Sequence, residues 1–222
     1  MTHRWNLALA ATVGVAALAI AGLNLAPSAN SQTAEPAPMT ADVPDGAEVA
    51  IFAGGCFWCV EKDFDHVAGV LRTTSGYIGG QFPNPTYQNH GANGDLEAVE
   101  VVYDPDIVTY SELAHTFFRT VDPLDDGGQF CDRGNSYRTA IFVLDADQRA
   151  LAETAAANAS SALGRDVATR ILDAPTFWPA EEYHQDYYQK NPLRYQFYRT
   201  SCGRNRTVER VWGEEAYAGV DH

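Results

Sequence analysis

Apolar residues recur along this chain with two periods. Glu48-Val49-Ala50-Ile51-Phe52-Ala53 reads as a short strand, and beyond it Phe57, Val60, Phe64 and Val67 fall at helical spacing until Gly69 ends the run. Val70 to Ser75 predicts a second strand, leading into Gly76-Tyr77-Ile78-Gly79-Gly80. Leu96 to Asp104 alternates most clearly, with Val99, Val101 and Tyr103 on one face and Glu97 sharing it. Thr109 and Glu112 have the spacing of a capping box, opening a helix that turns Leu113, Phe117 and Val121 inward. A strand over Arg138 to Leu144, an alanine-rich helix capped by Asp145 and ending near Gly164, and a strand over Ala168 to Leu172 follow.

Two long stretches interrupt this order. Gln81 to Asp95 is dense in Pro, Asn and Gly, and Pro123 to Asn135 carries two adjacent glycines; long loops in compact domains are often functional. After Pro175 the pattern becomes aromatic and irregular, with a helix expected around Glu181 to Lys190, a last short one over Val208 to Trp212, and an otherwise mobile tail. The alternation of strands and helices predicts an α+β fold: a ferredoxin-like two-layer sandwich in which helices cover a mixed β-sheet, with long irregular loops and a C-terminal tail.

Three regions are expected. Residues 1–26 have a short basic flank, His3 and Arg4, followed by an uncharged stretch from Leu7 to Ala26, which reads as a signal peptide or an N-terminal membrane anchor. Residues 27–45 are rich in Ser, Ala, Pro and Thr and read as a flexible linker. Residues 46–222 are expected to form one catalytic domain. The leader implies export to an oxidising compartment such as the periplasm, with the domain soluble there or membrane-anchored. The net charge of −14 argues against nucleic acid as a partner.

Chemistry concentrates at Gly54-Gly55-Cys56-Phe57-Trp58-Cys59. The predicted strand ends and the predicted helix begins at Cys56, where free N–H groups and the helix dipole favour thiolate over thiol. Cys56 is therefore the expected nucleophile. Glu97 is the expected acid, because a partly apolar strand face raises a carboxyl pKa toward neutrality. Phe57 and Trp58 flank the sulfur and could form a small apolar pocket. Tyr87 and Tyr137 lie in or beside loops, where a phenol can reach a polar atom. Histidines 66, 90, 115 and 184 read as surface or structural.

Five ordered motifs then converge on a known family. Gly55-Cys56-Phe57-Trp58, Gly76-Tyr77-x-Gly79-Gly80, Pro83-Asn84-Pro85-Thr86-Tyr87, Glu97-Ala98-Val99 and Asp132-x-Gly134-x-x-Tyr137-Arg138-x-Ala140-Ile141 closely resemble the type A peptide-methionine sulfoxide reductases. The resemblance implies reduction of the S epimer of methionine sulfoxide, free or in oxidised proteins. It implies that Cys56 attacks the sulfoxide sulfur, Glu97 protonates the oxygen, and Tyr87 and Tyr137 hydrogen-bond that oxygen. Asp132 would organise polar groups, and Phe57 and Trp58 would hold the substrate methyl group. No metal or organic cofactor is implied. Loss of the oxygen leaves a sulfenic acid on Cys56.

Two departures from the family pattern stand out. Gly94-Asp95-Leu96 replaces the Gly-His-Ala found before the acid in many members, and the tail around Cys202 lacks their glycine-rich recycling segment. The thiol that resolves the sulfenic acid is left open among Cys202, on the expected mobile tail, Cys59, one helical turn from the nucleophile, and Cys131, beside Asp132; the three could also act as a relay. A thioredoxin-like dithiol would then recycle the enzyme. Two rivals exist: a thiol-disulfide oxidoreductase using Cys56-x-x-Cys59, and a zinc module, for which no second pair of ligands appears.

Overall fold

The computed structural model describes residues 43–221. The expected leader and most of the expected linker therefore lie outside the described residues. Among the described residues no helix is long and apolar enough to cross a membrane. In chain order the elements are β1 (Glu48–Gly54), α1 (Phe57–Asp65), β2 (Val70–Ile78), α2 (His90–Asn93), β3 (Leu96–Tyr103) and α3 (Tyr110–Arg119). There follow β4 (Gly128–Gln129), β5 (Asp132–Arg133), β6 (Thr139–Val143), α4 (Ala146–Leu163), β7 (Arg170–Asp173), β8 (Phe177–Pro179), α5 (Tyr187–Lys190), α6 (Pro192–Cys202) and α7 (Arg204–Trp212).

The main sheet has six strands in the order β7-β6-β1-β3-β2-β8. Its four central strands are antiparallel neighbours, and β7 lies parallel to β6, so the sheet is mixed as expected. Taken in chain order, β1, α1, β2, β3, α3 and β6 trace the ferredoxin-like path, with β1 and β3 at the centre. Phe52 on β1 carries much of the packing between sheet and helices. Its ring is stacked on Phe64 of α1 at 4.8 Å and on Phe117 of α3 at 5.1 Å. Truncating such a residue to alanine typically costs about 3–5 kcal/mol.

Local signals set the helix ends. The Thr109 hydroxyl accepts from the Glu112 amide at 3.3 Å, and the Glu112 carboxylate accepts from the Thr109 amide at 2.8 Å, which satisfies two donors that the helix leaves open. Asp145 accepts from the Gln148 amide at the start of α4, and Gly164 closes that helix in a left-handed conformation.

The C-terminal region corrects the expected irregular, mobile tail. It folds as two helices, α6 and α7, joined at Gly203. The expected helix around Glu181 to Lys190 shrinks to the four residues of α5, and Phe177–Pro179 pairs with β2 as a strand that the sequence does not signal. The reason for the ordered tail is a buried ionic cluster. Arg199 bonds Asp63 of α1 at 2.8 Å, and Arg204 donates to the Gly54 carbonyl at 3.1 Å and the Thr120 carbonyl at 3.0 Å, with Asp63 3.6 Å away. Each guanidinium thus finds acceptors in the interior, and the helices that carry them are held against the domain.

Candidate active site

Gly54 and Gly55 bring the chain from β1 into α1. A Cβ on Gly54 would lie 2.9 Å from Val60 and 3.0 Å from Val121, so only hydrogen fits between strand and helices. Gly55 has φ +84°, which turns the backbone and leaves Cys56 at the helix cap. The Cys59 amide donates to the Cys56 carbonyl at 3.1 Å, placing the two sulfurs on adjoining positions of the first turn.

Glu97 meets this turn from β3. Its Oε2 accepts the Phe57 amide at 3.0 Å, and its Oε1 lies 3.7 Å from His90 Nε2 of α2. The carboxyl is only 2% exposed. Burial pushes it up to about 8; the Phe57 amide opposes the shift, while the charges of Asp132 and Cys59 add to it. The sequence-based expectation of an acid protonated near neutral pH agrees with this environment.

At Cys56 the surroundings oppose the ionisation that a helix start would favour. Burial holds its thiol above the ordinary range, its hydrogen bond with Cys59 and the charges of Cys59 and Glu97 acting in the same direction. The amide that would have favoured a Cys56 thiolate, that of Phe57, is taken by Glu97. Cys59 behaves oppositely. Burial resists its ionisation, but the hydrogen bond from Cys56 and the charges of Arg204 and Arg199 outweigh it and bring the thiol down to about 6. The surroundings of the pair therefore favour ionisation at Cys59 over Cys56.

Cys56, Phe57, Trp58, Tyr87, Glu97, Asp132, Tyr137 and Tyr198 line one small cavity of about 50 Å³. Seven of these eight residues are expected from the sequence. Tyr87 arrives from the first long loop and Tyr137 from the turn just after the second, and burial raises both phenols, so each stays a hydrogen-bond donor at neutral pH. The Tyr198 hydroxyl donates to Asp132 Oδ2 in a short hydrogen bond. Burial raises Asp132, while that bond and the charge of Arg204 restrain it.

Three residues join the site without having been singled out as functional. Tyr198 comes from α6, whose Tyr195, Tyr198, Arg199 and Cys202 recur at helical spacing between Pro192 and Gly203; that signal was present, but obscured by the polar residues around it. His90 is buried beside Glu97, so a histidine does reach the acid although position 95 is Asp. His184 is likewise buried and accepts the Trp58 indole N–H at 3.0 Å. Both are buried, and so take the structural alternative of the surface-or-structural expectation.

The structure divides the remaining cysteines. Cys56 and Cys59 are free and buried, whereas Cys131 and Cys202 are joined in a disulfide. Cys202 is thus the last residue of a packed helix and not part of a mobile tail. Its sulfur lies 3.8 Å from Oδ2 of Asp132, a cavity-lining residue, while Cys131 is exposed. A buried sulfur, a protonated carboxyl and two phenols around a cavity for a few heavy atoms can polarise an X–O bond, deliver a proton to its oxygen and accept that oxygen on sulfur.

Comparison with known proteins points the same way. The profile of the family described as peptide methionine sulfoxide reductase matches residues 48–216. A relative from Rhizobium meliloti, peptide methionine sulfoxide reductase MsrA 2, is 55% identical over 175 residues, which cover 79% of this chain and 88% of that protein. The MsrA of Bacillus pumilus is 47% identical, with 76% of this chain and 97% of that protein covered. Among solved structures, methionine sulfoxide reductase A of Corynebacterium diphtheriae superposes with a TM-score of 0.61 at 34% identity, covering 72% of this chain and 84% of its own. Reduced Mxr1 of Saccharomyces cerevisiae gives 0.64 at 29% identity, covering 67% and 88% respectively.

Proposed function

The chain belongs to the peptide methionine sulfoxide reductase family, and from that premise we propose how its own residues reduce methionine sulfoxide to methionine. The observation that carries the mechanism is the shared cavity of Cys56, Glu97, Tyr87 and Tyr137, with Phe57 and Trp58 forming its apolar wall. The sulfoxide oxygen faces Glu97 and the two phenols, and the methyl group lies against the aromatic wall. That arrangement selects the S epimer, because the other would exchange the positions of a polar and an apolar substituent.

Cys56 attacks the sulfoxide sulfur while Glu97 gives its proton to the oxygen. Methionine leaves, and the oxygen, carrying the Glu97 proton, stays on Cys56 as a sulfenic acid; the proton that the Cys56 thiol loses passes to Cys59, so the step balances with Glu97 left ionised. Transfer of the Cys56 proton to the Cys59 thiolate, its hydrogen-bond partner, supplies the nucleophile at the moment of attack. Asp132 and Tyr198 hold the remaining polar edge of the cavity through their hydrogen bond.

Cys59 is the proposed resolver in preference to Cys202. It is one turn from Cys56, its ionised form is favoured, and Cys202 is engaged with Cys131. Attack of Cys59 on the sulfenic acid releases water and forms a Cys56–Cys59 disulfide. Cys131 and Cys202, as a reduced dithiol, then take over the oxidation by exchange, and a thioredoxin-like donor reduces their exposed disulfide. The basic flank and uncharged stretch of residues 1–26 support export of the domain; a fusion of residues 1–45 to a reporter that remains in the cytoplasm would count against it.

The decisive experiment incubates the reduced protein with resolved methionine sulfoxide epimers and dithiothreitol. Turnover of the S epimer alone is expected, and none after Cys56→Ala. Equal turnover of both epimers would overturn the cavity assignment. Insulin reduction without sulfoxide turnover would favour the thiol-disulfide oxidoreductase.

A further inference from the structure

Cys131, Asp132 and Cys202 bring two sulfurs and a carboxylate together, with their ligand atoms within 4.8 Å of one another. The Cys131 sulfur lies 3.9 Å from Asp132 Oδ1, and the Cys202 sulfur lies 3.8 Å from Oδ2. The Cys131 amide points at the Cys202 sulfur from 3.2 Å. The Cα atoms of the two cysteines are 5.0 Å apart, so once the disulfide is reduced, rotation of the side chains lets the sulfurs separate without moving the backbone. Tetrahedral coordination with zinc–sulfur bonds of about 2.3 Å and a zinc–oxygen bond of about 2.0 Å needs sulfurs about 3.8 Å apart and about 3.5 Å from the oxygen. The carboxylate already stands close to that separation.

The three ligands do not depend on the disulfide to stay together. On one side, Gly128 pairs with Arg133 and Gln129 with Asp132 across β4 and β5, and the Gly134 amide donates to the Gly127 carbonyl at 2.9 Å. Phe130, at φ +55°, lies with its ring 4.8 Å from the Arg204 guanidinium. On the other side, Cys202 ends α6, which Arg199 ties to Asp63 at 2.8 Å. The Tyr198 hydroxyl crosses from α6 to Asp132, where it orients the carboxylate as an outer-shell partner orients a metal ligand. All these contacts survive reduction. Two thiolates with one carboxylate suit a thiophilic divalent cation, whereas magnesium and calcium prefer oxygen alone, and the exposure of Cys131 opens a way in.

We propose that the reduced chain holds a zinc-class divalent cation between the Cys131 and Cys202 sulfurs and the Asp132 carboxylate, with water in the fourth position. Binding releases one proton from each thiol and transfers no electrons. A bound cation occupies both sulfurs and so withholds the dithiol from disulfide exchange. That consequence, unlike the site, rests on the proposed recycling role.

The test uses the full chain reduced by a trialkylphosphine, which with water supplies two electrons and two protons to each disulfide and becomes the phosphine oxide. With the reductant removed under argon, Co²⁺ serves as the probe. Reduced wild type should take up about one equivalent, with sulfur-to-cobalt charge-transfer absorption that Zn²⁺ abolishes by displacement. Protein that keeps its Cys131–Cys202 disulfide should show no such absorption. Cys202→Ser should weaken binding at least about a hundredfold, and Asp132→Asn about tenfold. No absorption in reduced wild type, undiminished absorption in the disulfide form, or unchanged affinity in either variant overturns the site. Should the variants fail to fold, the wild type decides: Zn²⁺ should slow alkylation of Cys131, followed by peptide mapping, about tenfold or more. An unaltered rate overturns the proposal. None of these readouts uses sulfoxide, so a chain that binds the cation but turns over no substrate would overturn the proposed function and leave the site standing.

Discussion

The Phe57 amide donates to Glu97 Oε2 at 3.0 Å, so the residue next to Cys56 and the buried carboxyl are locked together. One hydrogen bond thereby fixes the acid of β3 against the first turn of α1, and it takes the donor that would otherwise have favoured a Cys56 thiolate. The site gives up a donor to the nucleophile for a positioned acid, and the arginines nearby favour ionisation one turn further on, at Cys59.

Glu97 donates only while protonated, and its carboxyl is pushed up to about 8. Turnover should therefore fall as pH rises through about 8. Glu97→Gln should lower kcat roughly 10²–10³-fold, as expected for loss of a general acid. The stability consequence has a definite sign. Between the unfolded value of about 4.3 and the folded value, the native state holds a proton that the unfolded chain has lost, so this group makes stability fall as pH rises across that window. Glu97→Gln should remove up to about 1.4 kcal/mol per pH unit of that slope, measured by denaturant unfolding between pH 5 and pH 8. An unaltered slope would show that the carboxyl is ionised throughout.

Cys59→Ser should still release one methionine per protein and then stop with a sulfenic acid that dimedone traps. A Cys131→Ser, Cys202→Ser protein that keeps Cys59 should show a Cys56–Cys59 disulfide by peptide mapping after one equivalent of substrate. A dimedone adduct in that Cys131→Ser, Cys202→Ser protein would move the resolving role away from Cys59.

Cys202→Ser should preserve the first stoichiometric turnover and slow recycling by thioredoxin. It opens a cross-link between residues separated by 71 positions, for which chain-entropy reasoning sets an upper range of about 4 kcal/mol. Unfolding in guanidinium should shift accordingly. Recycling at the wild-type rate would exclude the surface disulfide from the electron path.

Asp63→Ala should cost about 3–5 kcal/mol, because it leaves Arg199 and Arg204 buried without their carboxylate. Loss of the carboxylate removes a negative neighbour of Cys59, yet it frees the cations that hold α6 and α7 in place. Hydrogen exchange should therefore increase first in residues 192–212. Uniform loss of protection would argue against an independently held C-terminal pair of helices.

The sequence by itself determined what short-range physics encodes. Alternation over Leu96 to Tyr103, the Thr109–Glu112 capping box and Gly164 after the alanine-rich helix each act within a few residues, and each element appears where the pattern predicts it. The motif residues Cys56, Glu97, Tyr87, Asp132 and Tyr137 likewise meet in one cavity. Tertiary structure alone decided the rest, because burial and pairing are properties of distant partners. Arg199 reads as a solvent residue until Asp63, 136 positions earlier, is brought to its guanidinium, and only then is α6 more than a polar tail. His184 reads as an unassigned histidine until an indole 126 positions away donates to it. The ionisation order of Cys56 and Cys59 is the clearest case: their spacing is visible in the chain, but which sulfur carries the charge depends on two arginines and an amide that only folding delivers.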